Sequence, residues 1–134
     1  MIFKNGYFIT IMLSAISSED FLCVMSKNIC FDLDGTLCTN TYGDYTNAKP
    51  IKDAILKVND LYNKGNKIII FTARFMGKSE GNINIAYGIG YKFTKKQIEE
   101  WGIKYHKLIL GKPEYDIVID DKSIFYDEKW YDKI

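Results

Sequence analysis

The run Lys67-Ile68-Ile69-Ile70-Phe71-Thr72 constrains this chain more than any other segment. Three consecutive β-branched residues are stiff at χ1 and favour a strand over a helix. The run is apolar at successive positions rather than alternate ones, the pattern of a strand buried on both faces in a parallel sheet. Parallel strands need crossover connections, usually helices, and the rest of the sequence supplies both parts. Residues 28–33 (NICFDL), 107–110 (KLIL) and 115–119 (YDIVI) read as three further strands. Pro50 suits a first helical position, and Ile51, Ala54, Ile55, Val58, Leu61 and Tyr62 follow at spacings of three and four, predicting a helix that Gly65 ends. Thr94 reads as the N-cap of a second helix ending at Trp101-Gly102, with 75–92 as a loop and 125–133 as a short amphipathic helix. The order β-α-β-α-β-β predicts an α/β fold: a three-layer, Rossmann-like core with a mostly parallel sheet and helices on both faces.

The chain has 134 residues, one domain's worth. A hydrophobic fraction of 47% with 26% charged residues places it among globular proteins rather than disordered or fibrous ones. A formal charge of +1 offers no field to attract nucleic acid or an acidic membrane, so neither is expected as a partner. Cys23, Cys30 and Cys38 form no C-x-x-C pair, and His106 is the single histidine, which excludes a disulfide framework and a zinc site and suits a reducing, cytoplasmic setting. The domain is placed at 25–134. Residues 1–24 read as an extension, either an over-extended start or a disordered segment. A signal-like alternative rests on Lys4, the apolar run 7–13 and the small-residue site Ala15-Ile16-Ser17, and would make the protein exported. The run 7–13 is too short to span a bilayer, which takes about 20 residues.

Open α/β sheets bind ligands at the carboxyl ends of their strands, and those ends carry the chain's unusual polar residues. Strand one ends in Asp32-Leu33-Asp34-Gly35-Thr36, strand two in Thr72-Ala73-Arg74, and the 115–119 run in Asp120-Asp121; Gly111-Lys112-Pro113 follows strand three. Residues two apart on a strand share a face, so Asp32 and Asp34 can enter one site. Two like charges about 4 Å apart cost on the order of 4 kcal/mol at an effective dielectric of about 20. A site gathering Asp32, Asp34 and Asp120 therefore calls for a cation, and an all-oxygen set suits Mg²⁺. Such a site, with Lys112, can bring a phosphate to a carboxylate nucleophile.

FDLDGTLC (31–38) resembles the first motif, D-x-D-G-T, of the haloacid dehalogenase (HAD) superfamily. FTAR (71–74), GKP (111–113) and DIVIDD (116–121) resemble its second, third and fourth motifs, in the family's order and on the expected strand ends. YGDYTNAKP (42–50) together with FTAR and IDDKS is similar to the small capsule-biosynthesis phosphatases of that superfamily. The resemblance implies a phosphatase acting on a phosphorylated sugar or related precursor of surface polysaccharide. It implies Asp32 as the nucleophile forming an aspartyl-phosphate, Asp34 as general acid and then base, Thr72 as a hydrogen-bond partner of the phosphoryl group and Lys112 as its charge partner. Lys112 is preferred to Lys107, which begins strand three rather than following it. Mg²⁺ would be held by Asp32, the Asp34 carbonyl and Asp120 or Asp121.

HAD enzymes commonly carry a cap domain after the first or second motif. Here the two intervals are 36–49 and 75–93, each shorter than the roughly 50 residues at which a domain can fold. No full cap is expected, only a 38–48 flap and a 75–93 loop. Tyr42, Asp44, Tyr45 and Arg74 are the candidate substrate contacts, and an open site makes a homodimer a reasonable expectation. Two other functions compete. A phospho-acceptor signalling domain also gathers acids, a Thr and a Lys around Mg²⁺, but it places its acidic pair first, its acceptor Asp in mid-chain and its lysine last. A polynucleotide 3′-phosphatase would need a basic groove for the phosphate backbone.

Overall fold

The structure, a computed structural model, describes residues 26–134. The reading of 1–24 as an extension or a signal-like segment lies outside the described residues. Three parallel strands, β1 (Asn28–Phe31), β2 (Lys67–Thr72) and β3 (Lys107–Leu110), form one sheet in the order β1-β2-β3. Phe31 stands beside Ile70, and Thr72 beside Leu110, so the ends of all three strands come level at one rim. Helix α1 (Lys52–Asn63) joins β1 to β2, and helix α2 (Ile83–Glu100) joins β2 to β3.

Right-handed crossovers that step the sheet in one direction put both helices on the same face. The core agrees. Phe31, Leu33, Ile68, Ile70, Leu108 and Leu110 from one sheet face share a cluster with Ala54, Ile55 and Val58 of α1 and Ile98 of α2. On the other face Cys30 is exposed and Ile69, Phe71 and Ile109 are half-buried. The α/β class, the parallel sheet and the absence of a full cap stand. The third layer does not form among the described residues.

Four sequence readings are corrected. Helix α2 begins at Ile83, not Thr94, and its N-cap is Asn82, whose side chain accepts from the Ile85 N–H at 3.1 Å. Thr94 is buried in mid-helix, part of the stripe Ala86, Gly90, Thr94 and Ile98 at fourfold spacing. Helix-poor Gly88 and Gly90 hid this helix. Gly90 is there for packing: a Cβ at that position would lie 2.1 Å from the Phe75 ring. Phe75 itself holds φ +67, a left-handed conformation that costs a bulky residue stability, offset by its ring contacts with Tyr45 at 4.9 Å and Phe93 at 6.1 Å.

Residues 115–119 are not a fourth strand. Ile117 is 81% and Ile119 96% exposed. An apolar run becomes a strand only where a neighbour takes its backbone hydrogen bonds. Here Lys112 N–H bonds to the Thr72 carbonyl and Pro113 follows, turning the chain across the strand ends. Residues 125–133 form only a 3₁₀ turn, Trp130–Asp132. Trp130 buries against Phe31 at 5.4 Å and donates from Nε1 to the Thr36 carbonyl, while Phe125 stays exposed. Pro50, expected in the first turn of α1, instead pairs with Cys38 in an isolated bridge, and Ile51 is the N-cap. Among the described residues no helix is long and apolar enough to cross a membrane.

Gly90→Ala should destabilise the protein by about 1–3 kcal/mol, because Phe75 cannot retreat without losing its ring contacts. Urea denaturation of the two proteins measures this, and equal midpoints would refute the packing argument.

Candidate active site at the strand ends

The chain turns tightly after β1. Gly35, at φ +83, lets its own N–H reach the Cys38 carbonyl at 2.8 Å, and Leu37 N–H returns to the Leu33 carbonyl. This turn sets Asp32 and Asp34 at the rim. Thr39 and Lys49 then close the neck of the 38–48 flap, with backbone and hydroxyl bonds of 2.9 Å each. The flap, the 74–81 turns and the 112–116 loop enclose an open cleft of about 1010 Å³. Asp32, Asp34, Tyr42, Tyr45, Thr72, Arg74 and Lys112 all line it.

Asp32 is the more open carboxylate, with its side chain 39% exposed. Lys112 Nζ approaches its Oδ1 at 3.2 Å, and Thr36 Oγ1 lies 3.5 Å from Oδ2. Burial works against the Lys112 charge, but its hydrogen bond to Tyr115 and the neighbouring Asp32 outweigh it and raise the pKa. Lys112 is thus a cation paired with Asp32, whereas Lys107 is exposed at the start of β3. The Thr72 hydroxyl accepts from the Arg74 backbone N–H at 3.1 Å, leaving its own O–H as a donor.

Asp34 is held differently. Arg74 Nε donates to its Oδ2 at 2.8 Å and Oδ1 at 3.1 Å, and Nη2 donates to Oδ1 at 2.8 Å. Cys38 Sγ adds a donor to Oδ1 at 3.4 Å. Burial first, and then the Asp34 charge, push the Cys38 thiol up to about 12, so it remains a neutral donor. The Arg74 side chain is fully covered: Nη1 donates to Gln97 Oε1 at 2.6 Å, and its guanidinium carbon lies 4.6 Å from the Tyr45 ring centre. Tyr45 also accepts at its hydroxyl from Phe75 N–H and at its carbonyl from Gln97 Nε2.

The remaining expected residues are dispersed. Tyr42 is 92% exposed at the cleft mouth. Asp44 lies outside the lining and accepts from Asn47 Nδ2 at 2.6 Å. Asp120 and Asp121 are exposed, and Asp120 accepts from the Lys122 N–H. Among the described residues no group of three or more His, Cys, Asp or Glu side chains could hold a metal ion. Asp32 and Asp34 line the cleft but Asp120 and Asp121 do not, so the expected meeting of the first and last acids around one ion is not formed among the described residues. Gln97, Lys78, Glu114 and Tyr115 are site residues that no local motif marks. The Arg74–Gln97 bond spans 23 positions, so only the folded chain brings the two together.

No family model matches the chain, and no curated protein matches it. A solved crystal structure from Vibrio cholerae is similar to it, with a TM-score of 0.72 and 28% sequence identity over 82% of this chain and 89% of that one.

Cys38 should be unreactive in the folded protein. Thiol titration at pH 8 is expected to count the same number of fast-reacting thiols in wild type and Cys38→Ala, the difference appearing only in denaturant; a lost fast thiol would contradict its burial.

Proposed function

We propose that this chain is a capless, Mg²⁺-dependent phosphomonoesterase of the HAD type, working through an aspartyl-phosphate. The observation that carries the reading is the Asp32–Lys112 pair at 3.2 Å, in one cleft with Asp34 and Thr72. A carboxylate nucleophile must meet an anionic phosphate, and a fixed lysine cation lowers the repulsion between them. The Asp32 carboxylate attacks phosphorus while the bond to the leaving oxygen breaks, and Asp34, entering this step protonated, gives that oxygen its proton. Water then attacks the aspartyl-phosphate, Asp34 takes its proton, and phosphate leaves with Asp32 restored. Lys112 and the Thr72 hydroxyl bind the phosphoryl oxygens. Magnesium would be held by Asp32, the Asp34 carbonyl and Asp120 or Asp121, and would supply further neutralisation of phosphoryl charge.

The substrate proposed is a phosphorylated sugar or related precursor of surface polysaccharide, a cytoplasmic metabolite. The open cleft supports a hydroxyl-rich leaving group, since Tyr42, Tyr115, Asn40, Glu114 and Asp116 line it around Asp32. Tyrosine rings with polar neighbours suit such a group better than an apolar one. The near-neutral charge does not favour a polynucleotide.

A panel of sugar phosphates, nucleotides and a 3′-phosphorylated oligonucleotide, assayed with Mg²⁺ and with EDTA, tests the reading. Turnover of sugar phosphates is expected, lost in EDTA and reduced at least about 1,000-fold in Asp32→Asn. Metal-independent turnover, or an active Asp32→Asn protein, would overturn the mechanism, and preference for the oligonucleotide would overturn the substrate class.

A further inference from the structure

We infer that Arg74 is a positioning residue for Asp34 and not a contact of the substrate. This inference rests on the phosphatase reading above. Arg74 sits in the cleft wall, but its side chain is fully covered and each of its three nitrogens has a protein partner. Nε and Nη2 bind the Asp34 carboxylate, Nη1 binds Gln97, and Nη2 also lies 3.6 Å from Cys38 Sγ. To reach a phosphoryl oxygen the buried guanidinium would have to abandon the part-buried Asp34 carboxylate and leave that charge unpaired.

The clamp is asymmetric, and its asymmetry assigns a role to each oxygen. Oδ1 of Asp34 receives three donors, from Arg74 Nε, Arg74 Nη2 and Cys38 Sγ. Oδ2 receives one, from Arg74 Nε. Oδ2 is therefore the oxygen left with capacity to exchange a proton with the leaving group or the attacking water. Arg74 fixes the carboxylate plane and leaves Oδ2, on a residue that lines the cleft, as the less heavily donated oxygen.

Arg74 is fixed in turn. Gln97 on α2 holds Nη1 and anchors itself to the Tyr45 carbonyl at 2.7 Å. Tyr45 covers the guanidinium face, and Phe75, set in its left-handed conformation over Gly90, keeps the adjoining turn in place. Flap, strand end and helix thus meet on one side chain whose chemical output is the orientation of Asp34.

Substrates differing in leaving group separate this role from the alternatives. An alkyl phosphate such as a hexose phosphate needs a proton on its leaving oxygen, whereas p-nitrophenyl phosphate does not. In Mg²⁺, Arg74→Lys keeps the charge but cannot grip both oxygens. It should lower kcat/KM for the hexose phosphate by about 100-fold, the scale of general acid catalysis, and leave that for p-nitrophenyl phosphate within a few-fold. The inhibition constant of inorganic phosphate should not change. Gln97→Leu, which leaves the ion pair intact, should show the same pattern at smaller size.

If both substrates lose kcat/KM equally and phosphate inhibition weakens, Arg74 binds the phosphoryl group and the inference is wrong. Equal losses with phosphate inhibition unchanged, tracking a lower melting temperature in both variants, would make its role merely structural and equally refute it. Should Arg74→Lys fail to fold, Gln97→Leu decides by the same comparison. A wild-type protein inactive on both substrates would instead remove the phosphatase reading itself, and this inference with it.

Discussion

The buried Arg74–Asp34 ion pair is the interaction on which the rim of the sheet depends. A guanidinium with no solvent exposure is tolerable only beside its anion, and removing one partner of such a pair costs about 3–5 kcal/mol. The pair spans 40 positions and ties the turn after β1 to the end of β2. Through Gln97 it also reaches α2, and through Tyr45 the flap. Four segments that diverge in sequence are thereby held to a common geometry at the strand ends.

The two aspartates of the D-x-D run consequently live in different environments. Asp32 is partly open, paired with Lys112 and lightly contacted at its second oxygen. Asp34 is enclosed, charge-paired and donated to by a neutral thiol. Two carboxylates two residues apart can take different tasks only if their surroundings differ, and here a turn with Gly35 at φ +83 sends them to opposite partners. That division of labour is what an attack by one carboxylate and proton transfer by the other would need.

Packing at the second strand end shows where local preference yields. Phe75 adopts a conformation that suits glycine, and α2 accepts a glycine where alanine would favour the helix. Each departure explains the other, because the ring occupies the space a Cβ at position 90 would fill. These two residues lie 15 positions apart, and neither is intelligible without its partner.

The strands β2 and β3, and helix α1 with its stop near Gly65, were legible in the sequence, because burial period and capping act over a few neighbouring residues. The convergence of Asp32, Asp34, Thr72 and Lys112 was legible too, since parallel strands must end at one rim. Misreadings arose where a distant partner decides. An apolar run at 115–119 has strand composition but no ladder beside it, and α2 starts earlier than its glycines suggest. By itself the sequence determined a small parallel α/β domain with its polar residues at the strand ends, because periodicity and chain order act locally. Tertiary structure alone decided which cation each aspartate meets and that Arg74 turns inward, because a buried charge takes whichever partner the folded chain places within reach.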